Sequence, residues 1–473
     1  MAPSDWTDAA EWSNSRKWTV IVTACTVTFL VGINSTALLP ASEDIAHRFD
    51  VDLTAFDHTA FLVTAWNAGA AVVPLFILPA MEDFGVRPTY LTLYALFLVF
   101  VMVQGVAMNF ATLLVARVIA GSCGGVLQNA VDGMAADLWG NDTRRRSLSL
   151  TLFIFGLLGG VTIGAVIGGV ILASVSWRWI SYIQLVIYGA FFPVVIFCLH
   201  ETRPRVSKGK VPVKNRISSA LNETILRSSK MLLTEFVVSS FTLWSSFSFG
   251  TVLIMTQSIP LVYTALYSWS PSKGGIVQVA LFIGETIGLI LCVFQDLVIF
   301  PQYSERRSKD LEPHPDNEKS PSLRQEIDNN KAGKLPPNPE ARLYTSIPAS
   351  LLGLTAGFFI YGWTSQPDQG YAWPLPTLGL LLIGVGIMAI VQAVTNYVTD
   401  CYPTHANSAV SAIAFGENTF AAFLPLATRD MYTVLGFAWA SSLLGFLAIA
   451  VSIGPILLVV YGPRIRRRST MIG

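Results

Sequence analysis

Residues 148–174 read LSLTLFIFGLLGGVTIGAVIGGVILAS, a stretch with no charged side chain. A helix needs roughly 20 mostly apolar residues to cross the hydrocarbon of a bilayer, so this segment is long enough to span one. Gly156, Gly160, Gly164 and Gly168 recur within it at every fourth position, with Gly159 and Gly169 beside them. That period sets the four on one helical face, a groove in which a neighbouring backbone can approach closely. Runs of the same kind lie at 18–39, 59–80, 89–109, 111–135 and 179–199, and again at 232–257, 275–300, 344–363, 374–398, 407–427 and 433–460. With the first, they make twelve.

Composition agrees. Of 473 residues, 52% are hydrophobic and 13% charged, the latter about half the share usual in a soluble domain. The mean hydropathy is +0.54. The charges gather in a few loops instead of forming a basic face, which argues against nucleic acid as a partner. Cys25, Cys123, Cys198, Cys292 and Cys401 are widely spaced and form no CxxC pair, so we read all five as unpaired. The polar first seventeen residues precede an apolar run with no clear small-residue cleavage site, which reads as a retained anchor rather than a signal peptide.

Two polar stretches divide the runs, 200–231 and 301–343; the second carries Ser304-Glu305-Arg306-Arg307-Ser308-Lys309-Asp310 and several prolines and reads as disordered. The expected organisation is an N-tail over 1–17, a six-helix bundle over 18–200, a linker over 201–231, a second six-helix bundle over 232–461 holding the loop 301–343, and a C-tail over 462–473. Lysine and arginine accumulate in cytoplasmic loops. With the N-terminus inside, twenty-six of the 31 cations fall on inner segments, including Arg16, Lys17, Arg87, Arg144 to Arg146 and Arg464. Only Arg48, Arg178, Lys273 and Arg429 fall outside, and Arg117 lies within a run. Both termini are therefore expected in the cytoplasm. Asn34, Asn141 and Asn222 match the glycosylation pattern, but none faces outside in this topology. Two bundles with a cavity between them suit alternating access by rocking.

Several segments resemble the fungal drug:proton antiporters, the twelve-span branch of the major facilitator superfamily, from Trp12 to Ser469. Leu78-Pro79-Ala80-Met81-Glu82-Asp83-Phe84-Gly85-Val86-Arg87-Pro88 is similar to the family's loop between spans 2 and 3. Glu82, Gly85 and Arg87 keep its acid, its turn glycine and one of two basic residues, while Leu78 and Val86 replace a glycine and an arginine. Arg117 with Gly121 resembles the family's span 4 arginine motif, associated with proton coupling. Gly160-Val161-Thr162-Ile163-Gly164-Ala165-Val166-Ile167-Gly168-Gly169 resembles its antiporter motif, with Ala165 where a proline is usual. Trp177-Arg178-Trp179, His200-Glu201-Thr202-Arg203, Pro339-Glu340-Ala341-Arg342-Leu343, Asp400-Cys401-Tyr402-Pro403 and Tyr461-Gly462-Pro463-Arg464-Ile465-Arg466 match the same group. The resemblance implies an all-α membrane fold, two six-helix bundles around a central cavity and no cofactor or metal. It also implies proton-coupled export of drugs, toxins or a secondary metabolite at the plasma membrane, by a monomer.

Physics marks the same residues. An arginine inside hydrocarbon is costly unless it meets a polar interior, and so is functional by default. At about 100° per residue, Gly121, Gln128 and Asp132 fall within about 60° of Arg117, a stripe expected to face the cavity. Arg117 and Asp132 lie roughly 22 Å apart along the axis and cannot pair. Glu285 and Glu417 sit near the middles of their runs, where the resemblance would place a small residue and an arginine. Burial in a low dielectric favours the neutral form of a carboxyl. Glu285 or Glu417 is thus a candidate carrier of the coupling proton, or a partner for a cationic substrate, with Arg117 and Asp132 in the same group. Asn34, Asn67, Gln128, Trp244, Gln257, Gln392 and Asn396 are candidate cavity residues, since a few polar groups among aromatics suit amphiphilic organic molecules. Each of them alone also fits helix packing.

Three other readings compete. An organic-acid exporter of the same fold would let Arg117 meet a carboxylate. A nutrient sensor usually carries a long signalling tail, and only a short one follows the last run. An embedded enzyme would need histidines converging in the membrane, whereas His47, His58, His200, His314 and His405 lie in or beside loops with no HExxH or HxxxD pattern.

Overall fold

The structure, a computed structural model, describes residues 9–51, 60–140, 142–203, 226–299, 339–366, 372–402 and 406–466. The side chain of Glu82, most of the linker (204–225) and of the large loop (300–338), and the last residues of the C-tail (467–473) lie outside the described residues. Among the described residues, twelve segments are long and apolar enough to cross a membrane. They are span 1 (Asn14–Phe49), span 2 (Phe61–Met81), span 3 (Val86–Val106), span 4 (Phe110–Trp139), span 5 (Thr143–Leu172) and span 6 (Arg178–Cys198). Span 7 (Phe236–Tyr267), span 8 (Lys273–Ile299), span 9 (Pro339–Thr364), span 10 (Pro374–Cys401), span 11 (Ser408–Val434) and span 12 (Phe437–Gly462) complete the set.

Local chemistry sets the ends. Asn109 accepts from the Thr112 amide at 2.7 Å and caps span 4. Asp142 accepts from the Arg145 amide at 3.1 Å and caps span 5, so both helices begin on side-chain caps. Gly140, at φ +48°, turns the chain between them. Span 7 outruns its expected end, continuing through Pro260 to Tyr267. Proline is tolerated there because packed neighbours can satisfy the freed backbone groups of a membrane helix. Span 9 widens into a π-helical turn over Ala349–Thr355 just after Pro348, and span 8 ends in another over Gln295–Ile299.

The two halves repeat one packing scheme. Span 1 packs on span 5, span 2 on span 4, and span 3 on spans 4 and 6. Six spans later the pattern recurs: span 7 on span 11, span 8 on span 10, and span 9 on spans 10 and 12. The bundles meet where span 2 touches span 11 and span 5 touches span 8, again a symmetric pair of contacts. Parallel repeats of this kind enclose a site at their interface. Burial follows position. Spans 5 and 7 are 78% and 83% buried over their most apolar windows, against 28% and 33% for spans 6 and 12, which turn apolar side chains such as Val186, Phe197, Phe446 and Ile453 outward.

The glycine face of span 5 meets span 1 as its period requires. A methyl group at Gly156, Gly160, Gly164 or Gly168 would strike the carbonyl of Cys25, Phe29, Ile33 or Ala37 respectively, itself a four-residue stripe. Backbones this close gain dispersion contacts that larger side chains would prevent.

Candidate functional site

Between the bundles lies a cavity lined by Gln128, Asn129 and Asp132 of span 4, Phe153, Ile154 and Leu157 of span 5, Phe249 of span 7, Val391 and Thr395 of span 10, and Val410, Ile413, Ala414, Glu417 and Asn418 of span 11. Each bundle thus contributes one carboxyl. Glu417 accepts a hydrogen bond from the Ser245 hydroxyl of span 7. Asp132 Oδ1 is enclosed without a hydrogen-bond partner, and so is Gln128 Nε2.

The expectation that one stripe of span 4 faces the cavity along its length needs correcting. Gln128 and Asp132 reach it, but Arg117 and Gly121 point into the first bundle. Gly121 lies directly on the Trp66 backbone of span 2. Arg117 is 1% exposed. Its Nε donates to the Leu62 carbonyl at 3.0 Å and its Nη1 to the Asn34 carbonyl at 2.6 Å, while Nη2 donates to the Ser35 carbonyl. A stripe drifts by about 60° over fifteen residues of straight helix, enough to turn one end from the interface to the bundle interior.

Glu285 is fully buried, and its Oε1 accepts from Thr162 Oγ1 at 2.7 Å. Thr162 belongs to the glycine-rich span 5, so this bond joins the two bundles away from the cavity. Glu285 Oε2 has no hydrogen-bond partner.

A third constellation closes the end of the molecule that carries the termini. Arg342 of span 9 pairs with Asp296 of span 8 at 2.5 Å and with Asp400 of span 10 at 3.2 Å. Asp400 also pairs with Arg146 of span 5 at 3.1 Å. Ser147 donates to Asp296 at 2.6 Å and accepts from Arg342 at 2.9 Å, and Gln392 donates to Asp296 at 3.2 Å and to Thr151 at 3.3 Å. Two arginines thus face two aspartates in this group, and its hydrogen bonds cross from one bundle to the other. At the opposite end Thr64 of span 2 donates to the Ala422 carbonyl of span 11 at 2.7 Å.

The remaining candidate cavity residues lie outside the lining given above. Asn34 donates to Gln184 at 2.8 Å and accepts from Trp66 Nε1 at 3.3 Å, inside the first bundle. Asn67 bonds the Val63 carbonyl and Asn396 the Gln392 carbonyl, each on its own helix. Trp244 is buried against Phe241 and donates to Ser350 at 3.3 Å. Gln257 is half-buried in span 7. In the loop between spans 2 and 3, Gly85 takes φ +93°. Glu201 accepts there from the amides of Val86 and Arg87 at 2.9 and 3.2 Å, and Arg87 Nη2 reaches the Ile196 carbonyl at 2.9 Å.

Sequence reasoning passed over Asp296, Asp400, Arg146 and Ser147 as members of a site, and read Arg342 only as part of a resemblance. One signal was present: Asp296 lies inside the apolar run 275–300, where an acid needs a partner.

Two repeated six-helix bundles with a partly polar cavity between them form an architecture in which alternating access is possible. The Major Facilitator Superfamily model matches residues 24–425, and the chain belongs to that superfamily. It is 27% identical over 481 residues to the efflux pump radE of Floropilus chiversii, covering 98% of this chain and 84% of that one. It is 28% identical over 484 residues to the MFS transporter cpaT of Aspergillus oryzae, covering 99% and 91%. The human organic anion transporter MFSD10 (TETRAN) superposes with a TM-score of 0.62 at 14% identity, covering 93% of this chain and 99% of that one, a likeness of fold. The protein is a multi-pass membrane transporter of small molecules, not an enzyme.

Proposed function

We propose that this transporter exports small organic compounds, such as toxins, drugs or a secondary metabolite, in exchange for protons. The observation that carries the reading is the cavity between the bundles, on which Asp132 and Glu417 converge from opposite halves. Carboxyls in a partly dry cavity can alternate between proton and substrate as access changes sides. Glu285, bonded across the interface to Thr162, is the second candidate for the coupling proton. Arg117, buried in the first bundle and held by three carbonyls, does not line the cavity where it could meet an organic acid, so export of acids is the weaker reading. The buried group around Arg342 and Asp296 would have to open when the cavity faces the terminal end, which makes it part of the transport cycle. Efflux, as named for radE, supports outward transport.

The cation count supports cytoplasmic termini, and we assign the protein to the plasma membrane as a monomer. The bundles then run over 18–200 and 232–461, with Gly85 and Arg87 in the loop that gates the first. Expression in a pump-deficient yeast, challenged with cytotoxins, cationic amines and weak acids, tests export. Protection that vanishes when the proton gradient is collapsed supports the reading. Normal surface expression without altered flux of any compound overturns it.

A further inference from the structure

We infer that the inner end of the first bundle holds a binding site for the headgroup of an anionic phospholipid, built from Arg16, Arg144 and Arg145 around the indoles of Trp12 and Trp139. The site is independent of the transport reading and borrows from it only the cytoplasmic placing of the termini.

The N-tail folds back on the bundle and brings these groups together. Residues Ala9–Glu11 form a 3-10 turn against span 4, and Lys17 Nζ donates to the Ala10 carbonyl at 2.7 Å. The Trp12 ring lies 6.0 Å from that of His200, beyond the end of span 6, and Trp18 lies 5.2 Å from Trp139, at the end of span 4. Arg145, at the start of span 5, donates to Asn14 Oδ1 at 2.8 Å. Spans 1, 4, 5 and 6 thus meet at one patch.

The patch keeps its positive charge because its cations rest on indoles more than on acids. The Arg16 guanidinium stands 4.0 Å from the Trp12 ring centre, and Lys17 and Arg145 stand 5.2 and 5.5 Å from that of Trp139. An aromatic face attracts a cation through its quadrupole and leaves the charge in place. Among the described residues, these cations form one ion pair, Arg145 with Asp142 at 3.4 Å; both partners are exposed, and such a pair cancels little. Arg144 is exposed beside them. With Glu11, two acids stand against four cations. Roughly 9 Å deeper along span 1, Val22 is exposed, and so are Val194 and Phe197 near the end of span 6. That apolar surface suits acyl chains below a headgroup and gives nothing to an acidic peptide. The cytoplasmic leaflet is the anionic one, and each lysine or arginine at its surface strengthens attraction by about fivefold.

Native mass spectrometry of the full-length protein in detergent, titrated with phosphatidylserine or phosphatidylcholine of the same acyl chains, tests the site. The first phosphatidylserine is expected to bind at least about fivefold more tightly than the first phosphatidylcholine. Arg16→Gln with Arg145→Gln should weaken phosphatidylserine by about tenfold or more. Phosphatidylcholine binding should hold, which also reports an intact fold. Arg16→Lys with Arg145→Lys should keep most of the preference, because charge is what the headgroup meets. Asp142→Asn preserves the cap of span 5 and removes an acid, so it should tighten phosphatidylserine. Lys230→Gln with Arg464→Gln takes the same charge from exposed positions flanking the second bundle and should leave the preference unchanged. Glycerophosphoserine, a headgroup without chains, should compete far more weakly than the lipid. Equal affinity for the two lipids, or an equal loss in the Lys230 and Arg464 control, overturns the inference. Glycerophosphoserine binding as tight as the lipid's also overturns it and marks a site for free phosphates. Arg16→Gln alone, expected to lose about fivefold, decides where the double variant fails to fold. A protein that prefers phosphatidylserine but moves no compound loses the transport reading alone, and one that exports without this preference loses the lipid site alone.

Discussion

Arg117 sits where one helix runs out of internal partners. The helix Asn14–Thr36 leaves its last carbonyls without intrahelical amides, and two of these, on Asn34 and Ser35, accept from the guanidinium. The positive charge also meets the negative end of that helix dipole. Replacing Arg117 by Ala strands the two buried helix-end carbonyls of Asn34 and Ser35, each costing about 1–3 kcal/mol, so the detergent-solubilised protein should unfold at a clearly lower temperature. Arg117→Lys should recover part of the loss, since an ammonium brings donors without the planar fork. Equal melting of Arg117→Ala and the parent would remove this structural role. Glu285 allows a cleaner separation of fold from coupling. Glu285→Gln keeps an acceptor for Thr162 but cannot ionise, so stability should hold while the pH dependence of exchange in proteoliposomes flattens. An unchanged pH profile takes Glu285 out of proton coupling. That both residues stand in membrane spans was legible in the sequence; their partners were not, because those lie 55 to 123 positions away in the chain.

At the scale of elements, span 5 was the most legible part of the molecule. Its glycines are spaced for a close helix contact, and the structure supplies span 1 as the partner. Gly160→Leu should abolish the folded protein, seen as loss of the monodisperse peak in size-exclusion chromatography, because the side chain would have to displace the Phe29 backbone. Gly140→Ala makes a control: it has open space around it but takes φ +48° and ψ −114°, which only glycine adopts readily, so its cost is backbone strain alone, about 1–3 kcal/mol, and the fold should survive. The π-helical turn ending span 8 tells the opposite story. Nothing in the run 275–300 announces a change of helical pitch, yet that turn carries Asp296 to Arg342 and Ser147. Arg342→Gln leaves two buried aspartates against one arginine. Breaking a buried pair in this way typically costs about 3–5 kcal/mol, so thermal stability should fall, and a cysteine placed at Ser147 should react faster with a water-soluble maleimide. An unchanged labelling rate would mean that the group does not hold this end shut.

For the molecule as a whole, the repeated packing scheme makes the two ends comparable. Arg146 meets Asp400 at the terminal end, and Thr64 meets Ala422 at the other. If the bundles rock about the cavity, each contact must part in one half of the cycle. Cysteines at 146 and 400 joined by a short bifunctional reagent should stop exchange, and cysteines at 64 and 422 should do the same, with cleavable linkers restoring activity on reduction. Full turnover with either end tethered would exclude rocking of these bundles.

What the sequence determined by itself was the solvent of each segment: twelve apolar runs, their approximate limits, the helical face along which span 5 packs, and which charges are too costly to stand in hydrocarbon unattended. Those follow from composition and from the 3.6-residue period, both local properties of the chain. Tertiary structure alone decided which partner each buried polar group meets. It put Asp132 and Glu417 on one cavity, turned Arg117 away from it, and assembled Arg146, Asp296, Arg342 and Asp400 from four spans. A helical period sets the direction of a side chain about its own axis but carries no information on which helix stands opposite, and a hydrogen bond is made or lost within an ångström of that placement.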